Sequence, residues 1–262
     1  MIWHRIRSYL HHLWVAKGAF WLHSPFIFHL YTDVIRHRRS EAGQAIEDFR
    51  STLSQSAQVI ELLDLGAGKK NQGGGNYVMS LGDLASKVSR RPKVGELLNR
   101  LCAHFQPKHC LEFGTHLGIS ALYQLTGLSQ EARFISMEGS PQLAALASKH
   151  LATFGFEAEV LIGDFDQLLQ HTINWETFQP DYVFMDGNHQ YAPTIRYFDY
   201  LLPRVADGSL IILDDIYWST EMTSAWETII QSPEVSVSID LFHIGICFIR
   251  RPQAKEHFRL RF

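Results

Sequence analysis

At 262 residues the chain is long enough for one large α/β domain, or for a domain with a substantial extension. Its 46% hydrophobic and 19% charged content is that of a soluble globular protein, and a net charge of −3 gives no global case for a nucleic-acid partner. Cys102, Cys110 and Cys247 are few and widely spaced, the N-terminus is broken by His4, Arg5, Arg7, His11, His12 and Lys17, and no apolar run approaches the ~20 residues of a membrane span. These features exclude a disulfide framework, a metal or redox cysteine motif and a signal-peptide core, so we expect a cytoplasmic protein.

The first forty residues are aromatic and basic, with Asp33 their only acid. Ser24-Pro25 reads as a helix start, Ser capping and Pro at the first helical position. One helix is expected before it and one after, to about Arg39. We expect a helical extension, packed on the core or against a second copy of the chain in a homodimer, rather than a membrane-surface helix. Apolar residues nearly encircle these helices. A lid over a substrate pocket is compatible with either reading.

Ile46, Phe49 and Leu53 mark a third helix, with Glu47, Asp48 and Arg50 outside. Val59 to Leu65 then reads as a strand running into Gly66-Ala67-Gly68. This glycine turn is a decoy: Lys69 to Asn76 continues as a loop, and no acid-ended strand arrives at the required distance. We expect a lysine-bearing loop near a substrate entrance. Residues 1–90 are thus read as an extension and 91–262 as the main domain.

From Pro92 the character changes. Val94, Leu97, Leu98 and Leu101 set up a helix that leads into Cys110-Leu111-Glu112-Phe113-Gly114-Thr115-His116-Leu117-Gly118-Ile119-Ser120. This stretch reads as a strand end, a glycine turn and the first turn of a helix. Gly114 lets the chain turn, and Gly118 lets the helix pack close to the sheet or a ligand. Phe134 to Glu138 is a second strand ending in an acid, placed to accept hydrogen bonds from a ribose. The turn is Gly-x-x-x-Gly rather than Gly-x-Gly-x-x-Gly. Glu112, just before it, would repel a pyrophosphate and suit a cationic or amine-bearing ligand. Both departures argue against NAD and for S-adenosylmethionine.

Strand and helix then alternate. Ser140-Pro141 starts a helix that Gly155 ends. Glu159 to Ile162 is a strand, and Asp164-Phe165-Asp166-Gln167 reads as a capping box. Asp181 to Asp186 is the fourth strand, Tyr191 to Leu202 a helix, and Leu210 to Asp215 the fifth strand. A helix through Trp226 and two adjacent strands, Val235–Leu241 and Gly245–Arg250, close the pattern. This is an α/β, doubly wound, mostly parallel sheet. Acids stand at successive strand ends, where open α/β sheets bind ligands. Asp186, Asp214 and Asp215 form one group of hard oxygen ligands suited to Mg²⁺. His189, three residues after Asp186, is placed to take a hydroxyl proton, or to cap the next helix.

The sequence "LEFGTHLGIS" resembles the first motif of class I S-adenosylmethionine-dependent methyltransferases. Together with "PKVGELLNRL", it is most similar to the O-methyltransferases related to the catechol and caffeoyl-CoA enzymes. The resemblance covers roughly Pro92 to Arg251. It implies a sheet of seven strands with the last antiparallel. It also implies a cofactor held by Glu112, Gly114, Thr115, Gly118, Ser120 and Glu138. Glu138 would take the ribose, Ser120 or Glu112 the methionine end, and Asp164 and Phe165 would border the adenine unless Asp164 only caps its helix. In the metal-dependent members an Asp ends the fourth strand and an Asp-Asn pair ends the fifth. Asp186 and Asp214-Asp215 stand there, and paired acids are also similar to those of sugar and macrolide O-methyltransferases. The catechol-type enzymes have a lysine where His189 stands. The expectation is methyl transfer to a small hydroxylated molecule or sugar. The alternatives are a metal-independent enzyme with an amine or thiol acceptor, and a non-catalytic protein on the same fold.

Overall fold

A computed structural model describes residues 2–36, 41–63, 76–87, 92–250 and 254–262. The N-terminal segment holds α1 (Ile2–Val15), a 3-10 turn at Ala19–Trp21, and α2 (Pro25–His29), which runs into a π-helical stretch at Leu30–Ile35. Pro25 supplies the first helical turn as expected, but the Ser24 side chain makes no capping bond. Next come α3 (Glu41–Ser54), β1 (Val59–Leu63), β2 (Asn76–Ser80), α4 (Leu81–Lys87) and α5 (Pro92–Phe105). The alternating part follows: β3 (His109–Phe113), α6 (Ile119–Leu125), β4 (Arg133–Glu138), α7 (Pro141–Thr153), β5 (Glu159–Ile162) and α8 (Phe165–His171). It continues with β6 (Tyr182–Met185), α9 (Tyr191–Leu201), β7 (Ser209–Asp214), α10 (Thr220–Gln231), β8 (Val235–Asp240), β9 (Ile244–Ile249) and β10 (Glu256–Arg259).

The main sheet runs β10-β8-β9-β7-β6-β3-β4-β5. β9 is antiparallel to both β7 and β8, while the pairs β3–β4, β4–β5, β6–β7 and β8–β10 are parallel. Every residue of β6, β7, β8 and β9 is buried, as in strands covered on both faces. The sheet has eight strands where seven were expected. The extra one, β10, is short and carries Glu256, His257 and Arg259; it exists by borrowing the free edge of β8. Such an edge strand leaves almost no periodic signature of its own.

The chain divides into two compact units, Met1–His37 with Asn174–Phe262, and Arg38–Ile173. In the second, β1 and β2 form a separate antiparallel pair. Asn76, expected at the end of a loop, instead opens β2; Asp64 to Gly75, with the glycine decoy and both lysines, lies outside the described residues. The pair shares an apolar cluster with α3 and α4 that includes Ile60, Leu62, Leu81 and Leu84, and that Leu117 of the glycine turn joins. Glu47 is not wholly outside, since it accepts the Tyr123 hydroxyl at 2.9 Å.

In the first unit, the N-terminal segment is fastened to the last strands around a buried carboxylate, Asp240. Its Oδ2 accepts the Tyr217 hydroxyl at 2.6 Å and its Oδ1 accepts the Phe242 N–H at 2.9 Å. His12 Nδ1 lies 3.3 Å from Oδ1 and Arg259 Nε 3.3 Å from Oδ2, as ion-pair neighbours without hydrogen-bond geometry. His12 Nε2 meets the Leu260 carbonyl at 3.2 Å. Backbone bonds from Lys17 to Arg259 and from Arg261 to Lys17 continue the seam. Burial alone would push the Asp240 pKa up, but His12 and Tyr217 outweigh it and hold the carboxyl below its ordinary value. A depressed folded pKa contributes stability above the unfolded value, and that stability is lost as pH falls through the folded value. We therefore expect Asp240→Ala to cost about 3–5 kcal/mol near neutrality. The loss should shrink in acid, below the ordinary carboxylate range, as read by urea unfolding. An equal loss at both pH values would contradict the assignment.

Candidate active site

The glycine turn is built inside the second unit. β3 delivers Glu112 and Phe113, and the chain then passes Gly114 at φ +87°, His116 at +52° and Gly118 at +78°. Both glycines occupy the left-handed region that side chains resist. At Gly118 an added Cβ would lie 3.4 Å from that of Ala147, an ordinary contact, so the left-handed backbone rather than lack of space favours glycine there. The N–H groups of Gly114 and Thr115 both donate to the Met137 carbonyl, at 2.9 and 3.2 Å, which stitches the turn to β4.

Two carboxylates flank the turn. Glu112 is fully buried; its oxygens accept Gln124 Nε2 and Ser136 Oγ, each at 2.7 Å. Ser136 and Thr115 share a further hydroxyl bond at 2.6 Å. Glu138, at the end of β4, is nearly buried; its oxygens accept the backbone N–H of His116 at 2.8 Å and of Ser140 at 2.9 Å. Burial raises the Glu138 pKa, and the backbone donors Ser140, His116 and Gly139 partly offset that rise.

Of the other residues expected at the cofactor, Thr115 and Ser120 are buried at the turn. Asp164 is exposed and caps α8, its Oδ1 accepting the Gln167 N–H at 3.2 Å. Phe165 is half-buried and packs edge-on against Phe113, ring centroids 5.4 Å apart. Sequence reasoning missed Ser136, Gln124 and the backbone of His116. Ser136 and Gln124 had a signal: each is the polar residue in an otherwise apolar run, and Ser136 pairs with Glu112 in the β3–β4 register.

A second constellation lies in the first unit. Asp186 directly follows β6, His189 stands in the loop before α9, and Asp214 ends β7. One ligand atom from each comes within 4.8 Å of the others. His189 Nε2 is 3.5 Å from Asp186 Oδ1, both half-buried, and Asp214 is buried. Two carboxylates so close fit a divalent cation, whose charge would relieve the repulsion between the acids, with the His189 imidazole beside them. Asp215 is not in this group. It follows the strand at φ +51°, its N–H donating to the His243 carbonyl at 2.7 Å and its carbonyl accepting from Trp218.

A family model described as a methyltransferase domain matches residues 111–216, the stretch that holds both constellations. Over those residues this chain is similar to methyltransferases. Among similar proteins is a catechol O-methyltransferase of Niastella koreensis, 29% identical over 131 residues, covering 49% of this chain and 58% of the relative. An O-methyltransferase of Aspergillus flavus is 30% identical over 135 residues, covering 49% and 53%. The chain thus spans little more than half the length of these curated relatives. The fold matches that of an O-methyltransferase from Bacillus cereus in complex with S-adenosylhomocysteine, at a TM-score of 0.57, 18% identity, and coverage of 86% of this chain and 97% of the other. An O-methyltransferase of Streptomyces achromogenes in complex with S-adenosylmethionine gives 0.57, 18%, 84% and 95%. The fold here is the Rossmann-like, mostly parallel sheet that these structures share.

Proposed function

We propose that this chain is a cytoplasmic, S-adenosylmethionine-dependent O-methyltransferase acting on a small hydroxylated molecule or sugar, aided by Mg²⁺ or another divalent metal. The observation that carries the reading is the Asp186–His189–Asp214 group at strand ends of a methyltransferase domain. In this reading residues 91–262 are the catalytic domain and 1–90 its extension. Three buried cysteines, none in a disulfide, agree with a reducing compartment.

S-adenosylmethionine, when bound, supplies an electrophilic methyl group on a cationic sulfur. We assign Glu138 to the ribose hydroxyls, Gly114, Thr115 and Gly118 to the cofactor backbone cradle, and Ser120 to the methionine end. Glu112 would act there through its charge, because it is sealed from solvent with both oxygens bonded to buried side chains, whereas Glu138 keeps some exposure. Asp164 and Phe165 would border the adenine. A divalent metal held by Asp186 and Asp214, with Asp215 next in the chain, would lower the pKa of the acceptor hydroxyl. His189 takes the hydroxyl proton, and the Asp186 carboxylate stabilises the resulting imidazolium.

Two outcomes follow. Because the Glu138 pKa is raised, its carboxylate protonates at a pH above that of an ordinary glutamate. Affinity for S-adenosylhomocysteine should be full above that pH and fall as pH drops through it. Glu138→Gln should bind about tenfold more weakly and lose this dependence; a variant that binds like the parent at every pH would misplace the ribose. Separately, Mg²⁺ should raise the melting temperature, as a ligand of the folded state does, and Asp186→Asn or Asp214→Asn should abolish that rise. His189→Ala should keep the rise but lower turnover by about 10²–10⁴-fold, less at high pH. Absence of any shift with Mg²⁺, Mn²⁺ or Ca²⁺, with activity insensitive to chelators, would remove the metal from the mechanism.

A further inference from the structure

Helix α1 is amphipathic the wrong way round. Two of its inward positions, eight residues apart, are polar: His4 meets the Thr223 hydroxyl at 3.0 Å, and His12 lies against Asp240 and the Leu260 carbonyl. Its outward face carries Ile2, Trp3, Ile6, Leu10, Leu13 and Trp14, with both tryptophans 84% exposed. The following turn adds Phe20, fully exposed, and Trp21, 66% exposed. An ordinary surface helix turns such residues inward, and contiguous exposed apolar surface marks an interaction site. The seam around Asp240 fixes α1 in this orientation.

The charges say what covers this face. Residues 1–32 contain Arg5, Arg7 and Lys17 and no acid, whereas the remainder has 21 Lys and Arg against 27 Asp and Glu. Arg5 stacks 4.6 Å from the ring centre of Trp218, itself part-exposed, and Lys17 lies 5.9 Å from that of Trp21. A twofold contact with a second copy would set these cations against their own kind. An anionic lipid surface complements them, and tryptophan favours the membrane–water boundary. No helix among the described residues is long and apolar enough to cross a membrane. We propose that α1 and the Ala19–Trp21 turn lie flat on an anionic membrane surface. Trp3, Trp14, Phe20 and Trp21 would sit at the headgroup–acyl boundary, with Arg7 and Lys17 on lipid phosphates.

The test is cosedimentation of the full chain with phosphatidylcholine vesicles, with and without phosphatidylserine. We expect binding only when phosphatidylserine is present, weakened by salt. The quadruple variant Trp3→Ser/Trp14→Ser/Phe20→Ser/Trp21→Ser should lose at least tenfold in affinity. Arg7→Gln/Lys17→Gln should lose roughly thirtyfold. These side chains are exposed, and unchanged circular dichroism checks that the variants fold. No binding by the parent, or equal binding by the variants, would overturn the proposal. So would sedimentation velocity showing a parent dimer that the quadruple variant dissociates without vesicle binding; that result assigns the face to a second copy. Neither outcome depends on methyl transfer.

Discussion

A carboxylate at the end of a buried strand must be bonded from within the protein, and the glycine turn of this chain is arranged around two of them. Glu112, next to last in β3, and Glu138, last in the adjacent parallel strand β4, lie where water is largely excluded. An uncompensated charge there would cost several kcal/mol. Gln124, Ser136 and the N–H groups of His116 and Ser140 provide the compensation. His116 makes its bond from a left-handed backbone, with a left-handed glycine two residues away on either side. The same bonds that satisfy the charges therefore shape the turn. Each carboxylate has both oxygens bonded by the scaffold, but Glu112 is sealed from solvent while Glu138 keeps some exposure.

Features set by local pattern were legible in the sequence. The turn at Gly114 and Gly118, the acid ending β4, the Ser140-Pro141 and Asp164 caps, and the strands β6 and β7 each rest on a few adjacent residues. Features that depend on a distant partner were not. β10 forms only against β8, and β2 only against β1. Glu112 was read by its position beside the turn, but its bonding was decided by Ser136 and Gln124, twelve or more residues away. Asp214 and Asp215 are neighbours in sequence, yet only Asp214 joins Asp186 and His189, because the strand ends between them and the backbone reverses its course.

The N-terminal helix shows the same limit differently. Its apolar residues were read as nearly encircling the helix, so which face would turn inward was not visible. Asp240 decides it: a buried carboxylate near the C-terminus draws His12 inward, and the helix presents its tryptophans outward. Polar anchoring here overrides the usual burial of the apolar stripe.

The account stands on the glycine turn and Glu138 being a preformed cofactor site that does not wait for metal. Calorimetric titration of the purified chain with S-adenosylhomocysteine, in chelator and again in Mg²⁺, tests this most directly. The account predicts saturable binding at one site per chain in both conditions, with at most a modest gain from Mg²⁺. No binding heat in either condition, with the protein folded, would contradict it.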